Sequence, residues 1–208
     1  METRKGVISL KRPPSALLLI TARLYTWEDL RPLQSAVAAT WCLMLLASNQ
    51  GWQDRLRAEA KEICGERIPD YNMLRKMKQL TMVIHESLRL YSPVMVNTRE
   101  VFKDMKLGNI NVPKGIQLWI MVGTSHTNPD IWGPDVTGAC KEPHLYMPFG
   151  VGPRNCLGQD LAMMELKMLI TLILSKFSLS LSPNYIHSPV LRLLLQPEHG
   201  IRLLVKKL

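Results

Sequence analysis

The stretch from Phe149 to Gly158 reads FGVGPRNCLG, and it decides how the rest of the chain is interpreted. It places Cys156 in a loop rich in glycine and proline, two residues after Arg154 and just before a helical pattern that begins at about Gln159. A cysteine that ligates a metal must be deprotonated, and backbone N–H donors, a helix N-terminus and a nearby cation favour the thiolate. The stretch therefore predicts a loop that presents a thiolate to a haem iron.

The small and charged residues around the cysteine fit a flat, anionic cofactor. Gly150 and Gly152 permit the backbone angles of a tight loop, and Gly158 leaves no Cβ between the chain and a macrocycle. Arg154 can donate to a carboxylate such as a haem propionate. The alternative is an ordinary buried thiol, the commonest fate of a cysteine. The register of the glycines and the arginine around Cys156 favours the ligand.

These residues match F-x-x-G-x-R-x-C-x-G, and the chain thereby resembles the cytochrome P450 family, whose haem-ligand signature this is. A second family motif, E-x-x-R, stands upstream as Glu86-Ser87-Leu88-Arg89. Alone, a glutamate and an arginine three residues apart on a helix form a pair worth about 0.2–0.5 kcal/mol. The pair is followed by a short extended stretch with Arg99, which resembles the family's second propionate-binding arginine.

The resemblance implies both a fold and a set of roles. The fold is mainly α with small β-sheets, and the chain corresponds to the C-terminal, haem-binding half, since the family fold needs a chain much longer than 208 residues. Glu86 and Arg89 are implied to be a structural pair, Cys156 the axial iron ligand and Phe149 a shield for its sulfur. The residues implied to contact haem are Arg99, Phe149, Arg154, Cys156 and Gly158.

Composition narrows the class of protein. A hydrophobic content of 47% is enough to bury a real core. The net charge of +9 could suggest nucleic acid, but there is no basic cluster with interleaved aromatic residues and no zinc-finger spacing, so we expect no nucleic-acid partner. A basic surface that faces an acidic redox partner, or a merely solvated surface, accounts for the charge.

The other cysteines, Cys42, Cys64 and Cys140, are interpreted as packing residues. The cysteines are widely separated, with no C-x-x-C and no disulfide framework of the secreted kind. Cys140, His144 and Cys156 could be imagined as zinc ligands, but neither their spacing nor a fourth ligand supports a zinc site.

Membrane attachment is implied by the resemblance alone. The longest apolar run, Ala36 to Ala47, is shorter than the ~18 residues of a membrane span. The run from Ala16 to Ala22 is too short and too poorly flanked to indicate a signal peptide. Plant and microsomal family members carry an N-terminal anchor in the endoplasmic reticulum membrane, which is not recognisable here.

Periodicity predicts a helix-rich chain with little β structure. The predicted helices are Ala36–Ser48, Gln53–Cys64, Asp70–Gln79, Lys76–Leu90 and Gln159–Phe177. One predicted β region is Leu107–Val122, in which Val112-Pro113-Lys114-Gly115 is a turn between two short strand-like runs. The other is a hairpin of Leu191–Leu195 with Ile201–Val205, while loops are expected from Thr124 to Pro153. The buried residues expected in the last helix are Ala162, Leu166, Leu169, Ile170 and Ile173.

The loop before the cysteine motif departs from the family pattern. Family members carry P-E-R-F or a close variant there, whose arginine pairs with the E-x-x-R motif. In this chain the sequence from Asn128 to Asp135 runs directly into Val136 to Lys141, without such an arginine. If Glu86 and Arg89 are buried, the missing partner is expected to cost a few kcal/mol.

The N-terminal segment departs from the family more strongly. Where the family has A-G-x-[ED]-T, this chain reads Arg31-Pro32-Leu33-Gln34-Ser35. Arg-Pro-Leu-Gln can be encoded by AGA-CCA-CTG-CAG, and those bases after a G, shifted by one, encode Glu-Thr-Thr-Ala. Residues 1–35 are therefore interpreted as an atypical leader from a displaced frame and residues 36–208 as the family portion. Chance codon compatibility is the alternative, and the genomic sequence across codons 28–36 distinguishes the two.

Two hypotheses for the function follow from these observations. The stretch from Thr137 to Gly152 resembles plant monooxygenases that oxidise gibberellin-type diterpenoids. The first hypothesis is a haem-thiolate monooxygenase that hydroxylates or epoxidises an apolar small molecule with O2 and electrons from an NADPH-dependent flavin reductase. The second is a truncated, non-catalytic fragment or interaction module from an altered transcript. No residue is assigned a role in catalysis itself.

Overall fold

The computed structural model describes residues 6–10, 27–133 and 143–208. Its helices are α1 (Trp27–Ser48), α2 (Gln50–Cys64), α3 (Tyr71–Lys76), α4 (Lys78–Leu90), α5 (Val122–Thr127), α6 (Pro129–Trp132) and α7 (Gln159–Lys176). Its strands are β1 (Gly6–Leu10), β2 (Val96–Glu100), β3 (Met105–Leu107), β4 (Ile110–Val112), β5 (Gln117–Met121), β6 (Phe177–Leu181), β7 (Pro189–Leu191), β8 (Leu195–Pro197) and β9 (Ile201–Lys207). This is a mainly α structure with small β-sheets, as the sequence predicted.

The chain divides into two compact units, of which the first comprises residues 1–93 and 157–208. In it, α1 packs against α4, α7 and β6, and Trp41 and Leu46 of α1 are almost fully buried. A three-stranded antiparallel sheet has the order β1-β9-β6, and β7 pairs with β8. Gln53, fully buried on α2, donates to the carbonyl oxygens of Leu46 and Leu179 and accepts from the Leu179 N–H. This side chain links two helices and a strand.

The second unit comprises residues 94–156 and carries the cysteine loop. Strand β2 pairs antiparallel with β5, and β3 forms a separate hairpin with β4. The short helices α5 and α6 follow β5 directly, and α5 contacts β2. One 3-10 turn, Pro143–Leu145, precedes the cysteine loop, and a second, Gly152–Arg154, lies within it.

The helix predictions hold closely for α2 and α4, whereas one β prediction is wrong. The hairpin predicted from Leu191–Leu195 and Ile201–Val205 does not form, because β9 instead lies between β1 and β6 while β8 pairs back to β7. The two strand-like runs predicted within Leu107–Val122 are present as β4 and β5, and the turn predicted between them contains Gly115, which has a φ of 87°. The two strands have different partners, since β4 pairs with β3 and β5 with β2.

Helix positions also differ in places from the sequence predictions. Helix α1 begins at Trp27 rather than Ala36. The region predicted as loops, Thr124 to Pro153, contains most of α5 and all of α6, while Val136 to Lys141, with Cys140, lie outside the described residues. In α7, Leu166 and Ile170 are buried as predicted, but Leu169 is exposed and Ala162 and Ile173 are only partly buried. The buried positions that the sequence missed are Met163, Lys167, Thr171 and Leu174.

Candidate functional site

Three backbone hydrogen bonds shape the cysteine loop in the second unit. The Gly150 N–H donates to the Met147 carbonyl oxygen at 3.0 Å, the Asn155 N–H to that of Gly152 at 3.1 Å, and the Cys156 N–H to that of Phe149 at 2.7 Å. Gly150 and Gly152 have φ values of 76° and 74°, which residues with a Cβ rarely adopt. The backbone of the loop therefore folds back on itself, and a hydrogen bond connects Cys156 to Phe149.

The described cysteines differ in whether a ligand can reach the sulfur. Cys156 is exposed, whereas Cys42 and Cys64 are buried. Burial raises the pKa of the Cys42 thiol to about 12. Burial also raises the pKa of Cys64. Burial thus disfavours the thiolate form of both Cys42 and Cys64, and of these three cysteines only Cys156 is exposed.

The two candidate propionate-binding arginines both lie in the second unit. Arg154 ends the 3-10 turn Gly152–Arg154 and is exposed, and Arg99 lies on β2, where its Nη1 donates to the Thr98 carbonyl oxygen at 2.9 Å. Neither guanidinium forms a salt bridge with a carboxylate in the part of the chain that the structure describes. Arginines without a carboxylate partner are suited to bind an anionic group of a ligand.

The remaining predicted haem contacts are Phe149 and Gly158. Phe149 is partly buried, and its carbonyl oxygen is the acceptor for the Cys156 N–H, so the two residues are held together through the backbone. Gly158 belongs to the first unit and is the N-cap residue of α7, with a φ of −89°. Its backbone therefore adopts an angle that is open to any residue, and only the close approach of a ligand would require glycine there.

The E-x-x-R pair forms as the sequence spacing predicts. Arg89 donates from Nε and Nη2 to the two carboxylate oxygens of Glu86, at 2.8 and 2.6 Å. The Arg89 side chain is 3% exposed and that of Glu86 is 52% exposed. A two-point pair of this kind is stronger than a single contact. Because water reaches Glu86, the absence of a further arginine from the loop costs less than it would for a fully buried pair.

Comparison with known proteins agrees with the cysteine loop and the E-x-x-R pair. The sequence model of the family described as Cytochrome P450 matches residues 34–205. The chain belongs to the cytochrome P450 family. Its mainly α fold with small sheets is accordingly a partial P450 fold, and the resemblance seen in the motifs is confirmed.

Curated P450 relatives are much longer than this chain. Cytochrome P450 714C2 of Oryza sativa subsp. japonica is 50% identical over 186 residues, which are 84% of this chain and 36% of the relative. Cytochrome P450 714A2 of Arabidopsis thaliana is 46% identical over 179 residues, 80% of this chain and 34% of the relative. Cytokinin hydroxylase of Arabidopsis thaliana is 40% identical over 184 residues, which are 84% of this chain and 36% of the relative. The chain thus spans about a third of their length.

His126 supports the cysteine loop, and the sequence analysis missed it. It is fully buried on α5, and its Nε2 accepts the Met147 N–H at 3.0 Å, which leaves the ring proton on Nδ1 and the ring neutral. A chain of hydrogen bonds therefore runs from His126 through Met147 to Gly150, next to the Phe149 carbonyl that holds Cys156. In this P450 chain, α5 fixes the position at which the cysteine loop begins.

An aromatic cluster surrounds His126. Its ring lies 5.2 Å from that of Tyr146, which meets Trp132 edge-on at 6.0 Å, and the Trp132 Nε1 donates to the Ser125 carbonyl oxygen. Residues 124–153 were predicted to be loops, and nothing in the sequence indicates that a single histidine in a loop is buried. The large aromatic residues Trp132 and Tyr146 in this stretch were the feature from which its packing could have been predicted.

His126→Leu is expected to loosen the cysteine loop. The substitution removes the acceptor of a buried N–H, which costs about 1–3 kcal/mol. We expect amide exchange of Gly150 and Cys156, measured by hydrogen–deuterium exchange, to rise about tenfold, since each 1.36 kcal/mol of opening free energy is a factor of ten. His126→Gln, which retains an acceptor, should change it less. Unchanged exchange in His126→Leu would contradict the supporting role.

Within the described residues, no helix combines the length and the apolar character needed to cross a lipid bilayer.

Proposed function

We propose that this chain is the haem-thiolate portion of a cytochrome P450 monooxygenase. The observation that carries the proposal is Cys156, whose sulfur is exposed at the end of a loop closed by its own N–H on Phe149. The residues present fit a haem: a reachable sulfur, positive-φ glycines in the same loop, and two arginines that form no salt bridge with a carboxylate of the described residues. No residue in this chain is proposed to act in catalysis itself.

Each candidate site residue has a proposed task in holding the cofactor or in supporting the fold. Cys156 would supply the sulfur ligand of the iron, Phe149 would shield that sulfur from water, and Arg99 and Arg154 would each hold a propionate. When bound, haem supplies O2 activation, and electron donation from a thiolate ligand favours O–O cleavage. Gly158, at the start of α7, would let the chain pass close to the macrocycle, and the Glu86–Arg89 pair would have a structural role.

The proposed reaction is hydroxylation or epoxidation of an apolar small molecule. The stretch from Thr137 to Gly152 favours a gibberellin-type diterpenoid as substrate, and the relative named cytokinin hydroxylase favours a role in plant hormone metabolism. The proposed electron donor is an NADPH-dependent flavin reductase, for which the net charge of +9 offers a complementary surface. The proposed location of the whole protein is the endoplasmic reticulum membrane, by resemblance to the family.

A specific observation also favours a truncated, non-catalytic fragment or interaction module. The chain spans about a third of its relatives, and the segment before the cysteine motif lacks the family's arginine. We propose residues 1–35 as an atypical leader and residues 36–208 as the family portion. Helix α1 runs from Trp27 through this boundary, so the proposed leader contributes its first turns.

Haem binding and turnover of the purified 208-residue chain distinguish the two proposals. Because the chain lacks a recognisable proton relay and most of a substrate pocket, we expect weak or absent haem binding and negligible turnover with reductase. The measurements are the reduced carbon monoxide difference spectrum and product formation from a gibberellin precursor. A strong thiolate-type spectrum with robust hydroxylation would contradict the fragment proposal and establish a self-sufficient enzyme.

A further inference from the structure

The first unit contains an open depression of about 450 Å³ with a basic lining, which is called the cavity below. It is bordered by α3, α4 and α7, and its volume lies within the range typical of small-molecule sites. The basic groups that line it are Arg75, Lys78, His85 and Lys167, and the acidic group that lines it is Asp160. Met163 and Met164 add an apolar wall.

Lys167 is the buried charge of this cavity. Its residue is 5% exposed, and its Nζ donates to the Leu74 carbonyl oxygen at 3.1 Å. Within residues 27–133 and 143–208 it forms no salt bridge. The Glu59 carboxylate favours the charged form of Lys167 without forming a salt bridge with it, and its two oxygens accept the backbone N–H groups of Gln79 and Leu80. A buried ammonium without a paired carboxylate is costly, and an anion in the cavity would compensate it.

The electrostatic field of the cavity also acts on His85. Burial lowers the pKa of His85, and the charge of Lys167 lowers it further. Burial likewise lowers the pKa of Lys167. The charged groups that border the cavity beside His85 are Arg75, Lys78, Lys167 and Asp160. Three of these four are cations, so the cavity favours a ligand that brings negative charge.

We propose that this cavity binds a small organic phosphate or sulfate. The anionic group would lie against Lys78, His85 and Lys167, and the organic part against Met163 and Met164. The cavity exceeds the space that a bare sulfate needs, and flexible thioether side chains adapt to apolar groups of varied shape. The site is formed by residues of the first unit alone and goes beyond the proposed monooxygenase function, since it requires no haem.

The proposal predicts a linkage between binding and protonation. An anion next to His85 stabilises the imidazolium, so binding raises the His85 pKa from its lowered value. By reciprocity the ligand binds more tightly below that pKa than above it. Sulfate is a suitable probe because it remains doubly charged from pH 5 to pH 9.

The test is an NMR titration of the full chain with histidine rings labelled. At constant ionic strength set with chloride, sulfate should raise the His85 pKa by about 0.5 or more, which corresponds to about threefold tighter binding at low pH. His199, on the exposed surface, should shift much less. Equal shifts of the two histidines, or no shift of His85, would overturn the proposal.

Charge-matched variants distinguish sulfate binding in the cavity from non-specific attraction of sulfate to a basic protein. Lys78→Gln and Arg75→Gln, both at exposed cavity positions, should each weaken sulfate binding about threefold or more by losing a direct charge. Arg202→Gln and Lys206→Gln remove the same charge from exposed positions of β9 and should change it little. Equal weakening by all four variants would contradict a specific site.

The organic part is tested with phenyl sulfate against methyl sulfate, which carries the same single negative charge. Contact with the two methionines should make phenyl sulfate bind at least about threefold more tightly, since burying even a few apolar carbons exceeds that free energy. Met164→Gln, at the partly buried position, should remove most of this difference without abolishing sulfate binding. Equal affinities of the two anions for the unmodified chain would overturn the assignment to an organic ligand.

Discussion

Cys156→Ser is expected to abolish a thiolate-type haem spectrum completely. A serine hydroxyl does not ionise at neutral pH and cannot replace the thiolate as a donor to iron. The protein for this test joins residues from Ala36 onward to the N-terminal half of a P450 relative and restores the missing loop arginine, so that a haem signal is present to be lost. The measurement is the reduced carbon monoxide difference spectrum per folded protein.

The other cysteines provide the matched controls. Cys42 and Cys64 are buried, and with a thiol pKa of about 12 Cys42 is protonated at any pH suitable for the test. Cys42→Ser and Cys64→Ser should therefore leave the band position unchanged, as should Cys140→Ser. If Cys140→Ser removed the band as completely as Cys156→Ser, the assignment of the axial ligand to Cys156 would be wrong.

Features that depend on neighbours in the sequence were predictable for this chain. The Cys156 loop is closed by hydrogen bonds between residues at most seven positions apart, so its glycines and its arginine could be recognised from their spacing. The same holds for Glu86 and Arg89, which are one helical turn apart. Local motifs of this kind carry their geometry in the sequence, which is why the family and the E-x-x-R pair were identified correctly.

Features that depend on distant partners were not predictable. Strand β9 pairs with β1, which lies at the opposite end of the chain. The alternation of apolar and polar residues in β9 does not distinguish β1 from the nearer β8 as a partner. His126 bonds to Met147, 21 residues away, and Lys167 bonds to Leu74, 93 residues away. Helix α7 is apolar on most sides, so its spacing did not define a single buried face. Leu169 was predicted to be buried and is exposed, and the burial of Lys167 was not predicted.

Large apolar side chains remain exposed in each unit. In the second unit, Trp119 is 68% and Phe102 is 76% exposed, and β5 pairs with β2 alone among the described strands. In the first unit, Leu157, next to the cysteine in sequence, is fully exposed. Exposed apolar patches and open sheet edges usually mark surfaces that another element covers. We propose that the cover is a segment corresponding to the part of the longer relatives that this chain does not match.

Restoring that cover should recover the haem spectrum, whereas restoring the loop arginine alone should not. With only the loop repaired, one face of the macrocycle would stay open to water, and the exposed side chains of Trp119, Phe102 and Leu157 would stay unpacked. A partial domain buries too little apolar surface to offset the entropy of ordering its chain. Joining residues from Ala36 onward to a family N-terminal half, with the loop arginine restored, supplies both missing parts.

The decisive measurement compares the reduced carbon monoxide spectra of the two repaired proteins at equal concentration. We expect a full thiolate band from the protein with the N-terminal half and the loop, and at most a trace from the loop-only protein. Cys156→Ser in the first protein controls for haem bound elsewhere. A full band from the loop-only protein would mean that the exposed apolar surface needs no cover for haem binding, and the fragment proposal would then have to be withdrawn, because this third of a P450 would hold its cofactor unaided.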